Sequence, residues 1–232
     1  MINKIVESAA VAVADIHDGA TIMIGGFGTA GMPSELIDAL ITQGARGLTI
    51  VNNNAGNGDT GIAALLATKR VRKIICSFPR QVDSHVFDAL YRTGEIELEL
   101  VPQGNLAERI RAAGAGIGAF FTPTGYGTLL AEGKETRTID GRNYVLEYPI
   151  HADFALIKAD RADRWGNLIY RKTARNFGPI MAAAARCTVA QVRRIEPLGA
   201  LDPEAIVTPG IFVQRIVAID VPDAQSRAQA EA

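Results

Sequence analysis

The sequence predicts an α/β protein with an open, mostly parallel sheet and helices on both faces. Short apolar runs alternate with segments of helical spacing along most of the chain, which is typical of βαβ units. Because crossover connections between parallel strands are right-handed, helices are expected on both faces of the sheet. A glycine-rich loop lies between the first run and the first long helical segment, as expected at the end of a strand in such a sheet.

The predicted strands are short runs of apolar or alternating residues. Residues 97–101 alternate charged and apolar side chains, which favours a strand near the edge of the sheet. Residues 133–149 predict a hairpin with Asp140 and Gly141 at its turn. In chain order, the predicted strands of the remaining chain are 21–25, 48–51, 72–78, 97–101, 119–122, 154–159, 188–192 and 211–217.

The clearest predicted helix covers residues 34–43. Pro33 suits its first turn, because the missing N–H of proline has no helical partner there. One face of this helix carries four apolar residues, which are Leu36, Ile37, Leu40 and Ile41. The other predicted helices are an amphipathic helix in residues 1–19 and the segments 62–69, 83–91, 106–113 and 176–186.

The chain has 232 residues, of which 48% are hydrophobic and 21% charged, as in a soluble globular protein. It shows no internal repeat and no linker, so residues 1–221 are predicted to form one domain. Residues 222–232 are small and polar and are predicted to be a frayed tail. No apolar segment has the pattern of a signal peptide or the length of a membrane-spanning helix.

The charge balance excludes some classes of partner. The 24 Lys and Arg residues face 25 Asp and Glu residues, which argues against nucleic acid or an anionic membrane as a partner. The two cysteines, Cys76 and Cys187, form neither a disulfide framework nor a metal-ligand pattern, so a cytoplasmic location is expected. The three histidines share no spacing, so no metal site is expected.

The glycine loop fits the pattern G-x-G-x-x-G at Gly26, Gly28 and Gly31. Such a loop before a helix either cradles an anion or nucleotide with its backbone N–H groups or is simply a tight turn. Binding of NAD further requires an acidic residue at the end of the second strand. Residues 52–54 are instead three asparagines, and Asp59 lies further along the chain, which argues against NAD.

Neutral amides follow several of the predicted strands. Asn53 and Asn54 come after the second strand, and Gln103 comes after the fourth. Because the carboxyl ends of parallel strands share one edge of the sheet, these side chains are expected at the same rim. Positioned amide donors suit an oxyanion that develops during a reaction. The alternative is that Asn-Gly and Gln-Gly sequences merely form turns.

Longer motifs connect the chain to a known family. Residues 18–33, DGATIMIGGFGTAGMP, closely resemble the signature of the alpha-type subunits of family I coenzyme A transferases. The resemblance continues through residues 53–56, 102–128 and 162–177 and covers nearly the whole chain except its C-terminal end. Within the family, the chain looks most like the subunits that act on 3-oxoadipate with succinyl-CoA. Acetoacetate-type subunits are close relatives and remain an alternative.

The resemblance implies the CoA-transferase/NagB-like fold and an enzyme of A and B subunits, with A2B2 composition. It implies transfer of CoA from an acyl-CoA to a free 3-oxo acid, with CoA and acyl-CoA as substrates and no permanently bound cofactor. In this family a glutamate of the B subunit, in a Ser-Glu-Asn-Gly motif, attacks the thioester. This chain lacks that motif, and the nearest match at Ser34 and Glu35 opens a helix.

The resemblance also implies roles for particular residues. The amides of Gln103, Asn53 and Asn54 correspond to the oxyanion side of the catalytic site. The glycine loop is associated with CoA, and its residues are Gly25, Gly26, Phe27, Gly28, Thr29, Ala30 and Gly31. Two alternatives from other classes remain, namely an NAD(P)-dependent oxidoreductase, and a ligand-sensing module that works without a partner.

Overall fold

A single large sheet forms the centre of the protein in the computed structural model, which describes residues 2–219. Seven of its strands run parallel in the order β11-β10-β8-β1-β2-β3-β4, and β9 pairs antiparallel with β8. Strands β5, β7 and β6 form a separate antiparallel sheet. In chain order the strands are β1 (Thr21–Ile24), β2 (Leu48–Val51), β3 (Val71–Cys76), β4 (Glu97–Leu100), β5 (Phe120–Thr122), β6 (Thr136–Ile139), β7 (Arg142–Glu147), β8 (Ala152–Asp163), β9 (Leu168–Ile169), β10 (Ala185–Glu196) and β11 (Arg215–Ala218).

The strand order reverses beside β1. The chain proceeds outward from β1 through β2, β3 and β4, and it then returns to the other side of β1 with β8. Ile24 at the end of β1 is level with Leu156, so β8 continues past β1 as far as Asp163. In open α/β sheets the crevice at such a reversal is the usual place for a ligand.

Helices cover both faces of the large sheet, as predicted. They are α1 (Ala9–Val13), α2 (Ser34–Gln43), α3 (Ile62–Ala67), α4 (His85–Arg92), α5 (Gln103–Gly114) and α6 (Gly178–Ala184). Ile22 and Ile24 of β1 pack into a core with residues of α1 to α4. Met23 points the other way and packs with Ile110 of α5 and Met181 of α6. The alternation of side chains along β1 therefore fills two separate cores.

Helix α2 has the bounds predicted from its apolar spacing. Leu36, Ile37 and Leu40 are completely buried, and each such side chain contributes about 1.5–3 kcal/mol by leaving water. The helix ends at Gly44, whose φ of 99° is left-handed and whose N–H donates to the carbonyl oxygen of Leu40. Within residues 2–219 no helix combines the length and the apolar composition needed to cross a membrane.

The small sheet contains the predicted hairpin. Asp140 and Gly141 have φ values of 49° and 75°, as required by a two-residue hairpin turn. Arg109 of α5 joins this sheet to the edge of the large one. Its guanidinium group donates to Glu99 of β4 at 3.0 Å and to the carbonyl oxygen of Tyr148, just after β7, at 2.7 Å. The edge position predicted for residues 97–101 is confirmed, since β4 ends the strand order.

Several predicted bounds were wrong for physical reasons. The N-terminal helix is only Ala9–Val13, because Ser8 caps it and Ile5 pairs with Ile216 in an isolated bridge. The predicted helix 176–186 stops early, because the chain from residue 185 onward pairs with β8. The prediction of one domain over residues 1–221 and of a frayed tail at 222–232 stays a prediction, since residues 220–232 lie outside the described part of the chain.

We expect low pH to weaken the junction between the two sheets. Burial raises the pKa of Glu99, but hydrogen bonds from Lys73 and Arg109 outweigh it and hold the pKa below its ordinary value of 4.5. A carboxyl group with a lowered pKa stabilises the fold above its unfolded pKa, and this contribution disappears as the pH falls through the folded value. Glu99→Gln should therefore be less stable than the unchanged protein at neutral pH, and the difference should shrink below pH 4.5.

Urea unfolding from neutral pH down to about pH 3 measures this difference in the free energy of unfolding. Glu132→Gln is the matched control, because Glu132 is exposed and forms no ion pair within residues 2–219. An equal loss of stability with pH in Glu99→Gln and in the unchanged protein would contradict the assignment.

Candidate active site

Two buried asparagines, Asn52 and Asn53, hold the carboxyl ends of β1, β2 and β3 together. Asn52 donates from Nδ2 to the carbonyl oxygen of Ile24 at 2.6 Å, which ties the end of β2 to the end of β1. The carbonyl oxygen of Asn53 accepts from the N–H groups of Ser77 and Phe78, which ties β2 to the segment after β3. The rim predicted from the strand ends is therefore one connected structure.

Asn53 and Gln103, two of the three predicted catalytic amides, are in direct contact. Gln103 donates from Nε2 to Oδ1 of Asn53 at 2.8 Å. The hydroxyl group of Ser77 donates to the same oxygen at 2.8 Å. With its oxygen held by two donors, Asn53 has a fixed side-chain orientation, and its Nδ2 group makes no hydrogen bond within residues 2–219. Gln103 is exposed and is the first residue of α5, so it projects from a rigid element.

Asn54, the third predicted amide, is 1% exposed and bonds mainly within its own segment. Its backbone N–H donates to Oδ1 of Asn52, and its own Oδ1 accepts from the N–H of Gly56. Its Nδ2 group is buried and has no hydrogen-bond partner among the described residues. A buried donor without a partner costs about 1–3 kcal/mol, so an acceptor that bound this group would stabilise the folded chain.

The glycine loop leaves β1 as a tight turn. Phe27 and Ala30 exchange backbone hydrogen bonds, and the N–H of Gly25 donates to Leu156 of β8. Gly26 has a φ of 123°, a conformation that side chains rarely adopt. The N–H groups of Gly28, Thr29 and Gly31 make no hydrogen bonds within residues 2–219. The seven predicted residues thus form one loop at the strand-order reversal, with free donors before α2.

Asn176 locks the glycine loop to the segment that follows β9. Its Oδ1 accepts from the N–H of Gly26 at 3.1 Å, and its Nδ2 donates to the carbonyl oxygen of Ala30 at 2.9 Å. Gly31 packs so closely on Ala174 that a Cβ atom there would overlap the Ala174 carbonyl oxygen. The two loops therefore flank the crevice between β1 and β8 as one unit.

Sequence reasoning missed Asn52, Ser77 and Asn176 as contributors to this site. The sequence could have indicated Asn52, because it is the first of three consecutive asparagines at the end of a predicted strand. Asn176 has a φ of 23°, and asparagine tolerates positive φ better than other side chains. Ser77 gave no signal, because its contact with Asn53 depends on the pairing of β2 with β3.

The buried thiol of Cys76 is unsuited to act as a nucleophile, and the described residues offer no cluster of metal ligands. Burial raises the pKa of Cys76 to about 12, so its thiol stays protonated at neutral pH. Within residues 2–219 no group of three or more His, Cys, Asp and Glu side chains is arranged to hold a metal ion.

A match to a family model shows which protein family the chain belongs to. The model of the family described as Coenzyme A transferase matches residues 6–218. The chain belongs to the coenzyme A transferase family. Asn52, Asn53 and Asn54 lie at the position where a dinucleotide site requires a carboxylate, which argues against binding of NAD(P) at the glycine loop.

Curated relatives in this family are similar along nearly the whole chain. The chain is 72% identical to the A subunit of 3-oxoadipate CoA-transferase from Pseudomonas putida, over 99% of this chain and 100% of that protein. It is 68% identical to the protein of the same description from Acinetobacter baylyi, over 94% of this chain and 96% of that protein. A relative from Bacillus subtilis, described as the probable A subunit of succinyl-CoA:3-ketoacid coenzyme A transferase, is 51% identical over 92% of this chain and 89% of that protein.

Solved CoA-transferase structures share the fold. An acyl-CoA transferase of Escherichia coli O157:H7, solved as a thioester complex with CoA, superposes with a TM-score of 0.81 at 24% identity. The superposition covers 94% of this chain and 47% of that one, so the chain spans about half the length of that protein. Glutaconate coenzyme A-transferase of Acidaminococcus fermentans gives a TM-score of 0.81 at 20% identity, over 93% of this chain and 75% of that one.

We expect Gly31→Ala to damage the glycine loop far more than Gly28→Ala. Both residues have positive φ, but a Cβ at Gly28 meets nothing within 4 Å, whereas one at Gly31 overlaps Ala174. Gly28→Ala should cost about 1–2 kcal/mol through backbone strain alone, and Gly31→Ala about 2–5 kcal/mol through strain and overlap. Urea unfolding of the two matched variants checks this, and equal costs would show that the contact with Ala174 does not constrain the loop.

Proposed function

We propose that this chain is the A subunit of a 3-oxoacid CoA-transferase, which moves CoA from succinyl-CoA to 3-oxoadipate. The proposal is supported by 72% identity over 99% of the chain to a protein described as the A subunit of 3-oxoadipate CoA-transferase. The structural observation that carries it is the contact of Gln103 with Asn53, which places amide donors at the shared rim of the sheet.

The proposed reaction needs a carboxylate nucleophile from the B subunit. An oxygen of a partner glutamate attacks the thioester carbon, and the electron pair of the C=O bond moves onto the oxygen. Collapse of this adduct expels the CoA thiolate and leaves an acyl–glutamyl anhydride. The thiolate then attacks the glutamyl carbonyl carbon and releases succinate as a carboxylate. The resulting glutamyl-CoA thioester passes CoA to 3-oxoadipate by the same two steps in reverse order.

Each addition step places negative charge on a carbonyl oxygen. In the proposal, the Nδ2 group of Asn53 and the amide group of Gln103 donate to that oxygen. Asn54 contributes the buried Nδ2 donor that lacks a partner among the described residues. The hydrogen bonds of these three side chains within residues 2–219 are all made to neutral groups, so none of the three is bonded to a carboxylate of this segment. Donors fixed before the reaction stabilise such an oxyanion without a reorganisation cost.

Ser77 has a supporting role in the proposal. Its hydroxyl group holds Oδ1 of Asn53 at 2.8 Å, which keeps the Nδ2 group in one orientation. The glycine loop, Gly25 to Gly31, contacts CoA through the free N–H groups of Gly28, Thr29 and Gly31, since the loop precedes a helix N-terminus that favours anionic groups.

The proposal also covers the partner subunit, the cofactors and the cellular location. The relatives described as A subunits support a B subunit that carries the glutamate, and we infer an A2B2 assembly. CoA and acyl-CoA are substrates, and no cofactor stays permanently bound. A cytoplasmic location is consistent with two free cysteines, of which Cys76 is buried.

Reconstitution tests the function directly. This chain, purified and mixed with its B subunit, should form 3-oxoadipyl-CoA from succinyl-CoA and 3-oxoadipate, and neither protein should be active by itself. Acetoacetate is the comparison acceptor, because relatives described as succinyl-CoA:3-ketoacid transferases are 51% and 52% identical to this chain. A higher kcat/KM for acetoacetate would assign the alternative acceptor. Absence of transfer to either acid, together with micromolar binding of NADH by fluorescence, would instead favour an oxidoreductase.

Removal of the Gln103 amide should lower turnover strongly. We expect Gln103→Ala to reduce kcat by about 100- to 1,000-fold, as for other oxyanion donors, with a smaller change in KM. Gln103 is exposed, so the thermal unfolding temperature should stay close to that of the unchanged protein. Asn143→Ala is a matched control, because Asn143 is an exposed amide on β7 of the small sheet. Equal turnover in Gln103→Ala and in the control would remove Gln103 from the catalytic site.

Loss of the Ser77 hydroxyl should have a milder effect of the same kind. Ser77→Ala leaves Asn53 in place with one of its two side-chain donors, so we expect kcat to fall by about tenfold, the equivalent of one neutral hydrogen bond. Ser77→Thr, which keeps the hydroxyl group, should recover part of the loss. No recovery by threonine, or a loss confined to KM, would contradict the positioning role.

A further inference from the structure

Four cations lie beside the glycine loop. Lys158 lies on β8, two residues past Leu156, which is level with the end of β1. Arg171, Lys172 and Arg175 lie on the segment after β9. Within residues 2–219 the side chains of these four residues form neither an ion pair nor a hydrogen bond. The proposed reaction steps leave this charge unused.

The cations border two cavities, one beside β8 and β10 and one beside the segment after β9. Lys158 and Arg171 line a cavity of about 220 Å³ together with Gln191. Because Oε1 of Gln191 accepts from the N–H of Leu36, this cavity lies at the N-terminus of α2. Lys172 and Arg175 line a cleft of about 680 Å³.

None of these four cations is ion-paired with a carboxylate of residues 2–219. Glu35 of α2 accepts a hydrogen bond from the neutral amide group of Gln191. Asp160 of β8 is paired with Arg193 and Arg161. The positive charge of Lys158 and of the loop 171–175 is therefore available to a ligand, and it adds to the positive end of the α2 dipole.

The position of the loop is fixed rather than adaptable. Asn176 closes it against the glycine loop through hydrogen bonds to Gly26 and Ala30, and Gly31 packs on Ala174. The free N–H groups of the glycine loop and the four cations thus belong to one structural unit. Two strand spacings, about 10 Å, separate β8 from β2, which leads into Asn53. A group bound at the cations is consequently remote from the reacting carbonyl.

We propose that Lys158 and the loop of residues 171–176 bind an anionic oxygen group of the substrate that is remote from the reacting carbonyl. The inference rests on the proposed function, because it assigns a part of the substrates of that same enzyme to this crevice. Its chemical class is phosphate or carboxylate. Three arginine or lysine side chains within five residues suit the multiple charges of the CoA phosphates better than a single carboxylate. Binding energy gained there assists the distant reacting centre.

The triple variant R171Q/K172Q/R175Q tests the site in the complex with the B subunit. We expect CoA to bind about 10- to 100-fold more weakly, as measured by isothermal titration calorimetry, because charged hydrogen bonds are lost. Unfolding temperature should not change, since the three side chains make no ion pair or hydrogen bond among the described residues. Lys158→Met, which keeps the length of the side chain, should weaken binding in the same direction.

A control variant removes the same charge elsewhere. R46Q/R92Q/R142Q changes three exposed arginines that have no ion pair within residues 2–219 and lie away from the crevice. It should bind CoA like the unchanged protein. The affinity of the unchanged protein should fall with added salt, and the fall should be shallower in R171Q/K172Q/R175Q.

Different probes distinguish which anionic group of the substrates binds at the site. If the site takes the 3′-phosphate, the unchanged protein should prefer CoA to 3′-dephospho-CoA and the triple variant should not. If the site takes the diphosphate, the triple variant should lose affinity for CoA and for 3′-dephospho-CoA by the same factor. If it takes the distal carboxylate of the acid, CoA affinity should persist while KM rises for 3-oxoadipate but not for acetoacetate.

Equal CoA affinity and equal KM values in the triple variant and the control variant would overturn the inference. Failure of the proposed function gives a different result, since the unchanged protein would then bind CoA but transfer none of it to either acid.

Discussion

The hydrogen bond from Asn52 to the carbonyl oxygen of Ile24 is the constraint on which the site depends. Parallel strands are held along their length by backbone pairing, but their carboxyl ends must separate to leave room for a ligand. Here the side-chain amide of Asn52 continues the connection to β1, and backbone hydrogen bonds continue the connection to the chain after β3. Asn52 links β2 to β1, and the carbonyl oxygen of Asn53 links β2 to the chain after β3. The rim is consequently rigid where the glycine loop and the amide pair depart from it.

Charged and neutral polar groups lie in different parts of the described chain. Around Asn53 the hydrogen-bonding groups are neutral, as a site for transient negative charge requires. Lys73 and Arg109 each form an ion pair with Glu99 at the junction of the two sheets, where the three side chains support the structure. Lys158, Arg171, Lys172 and Arg175, which form no ion pair among the described residues, lie together near the glycine loop. Neutral donors, structural ion pairs and free cations thus occupy different parts of the described chain.

Local patterns predicted much of the fold. The apolar face of residues 34–43 gave α2 with its observed bounds, and the Asp140–Gly141 pair gave the hairpin turn. Errors arose where tertiary pairing overrides local preference. An alanine-rich segment continues the helical pattern past residue 184, but pairing with β8 makes it a strand. Residues 1–19 have the spacing of one long helix, yet the pairing of Ile5 with Ile216 keeps the start of the segment out of helical structure.

The candidate site was predictable to the extent that strand order governs it. Asn53 and Gln103 were expected at one rim because parallel strands share their carboxyl edge, and the structure brings them within 2.8 Å. The contributions of Ser77 and Asn176 were not predictable, because they depend on contacts between segments 24 and 150 residues apart. No pattern within a short window of sequence contains that information.

The buried Nδ2 group of Asn54 carries a thermodynamic consequence. A donor that is dehydrated during folding and left without an acceptor makes the isolated chain less stable than its packing would permit. An acceptor that binds this nitrogen restores the missing hydrogen bond and therefore raises the stability of the folded chain. The thermal stability of the chain and the binding of an acceptor are in this way linked through a single nitrogen atom.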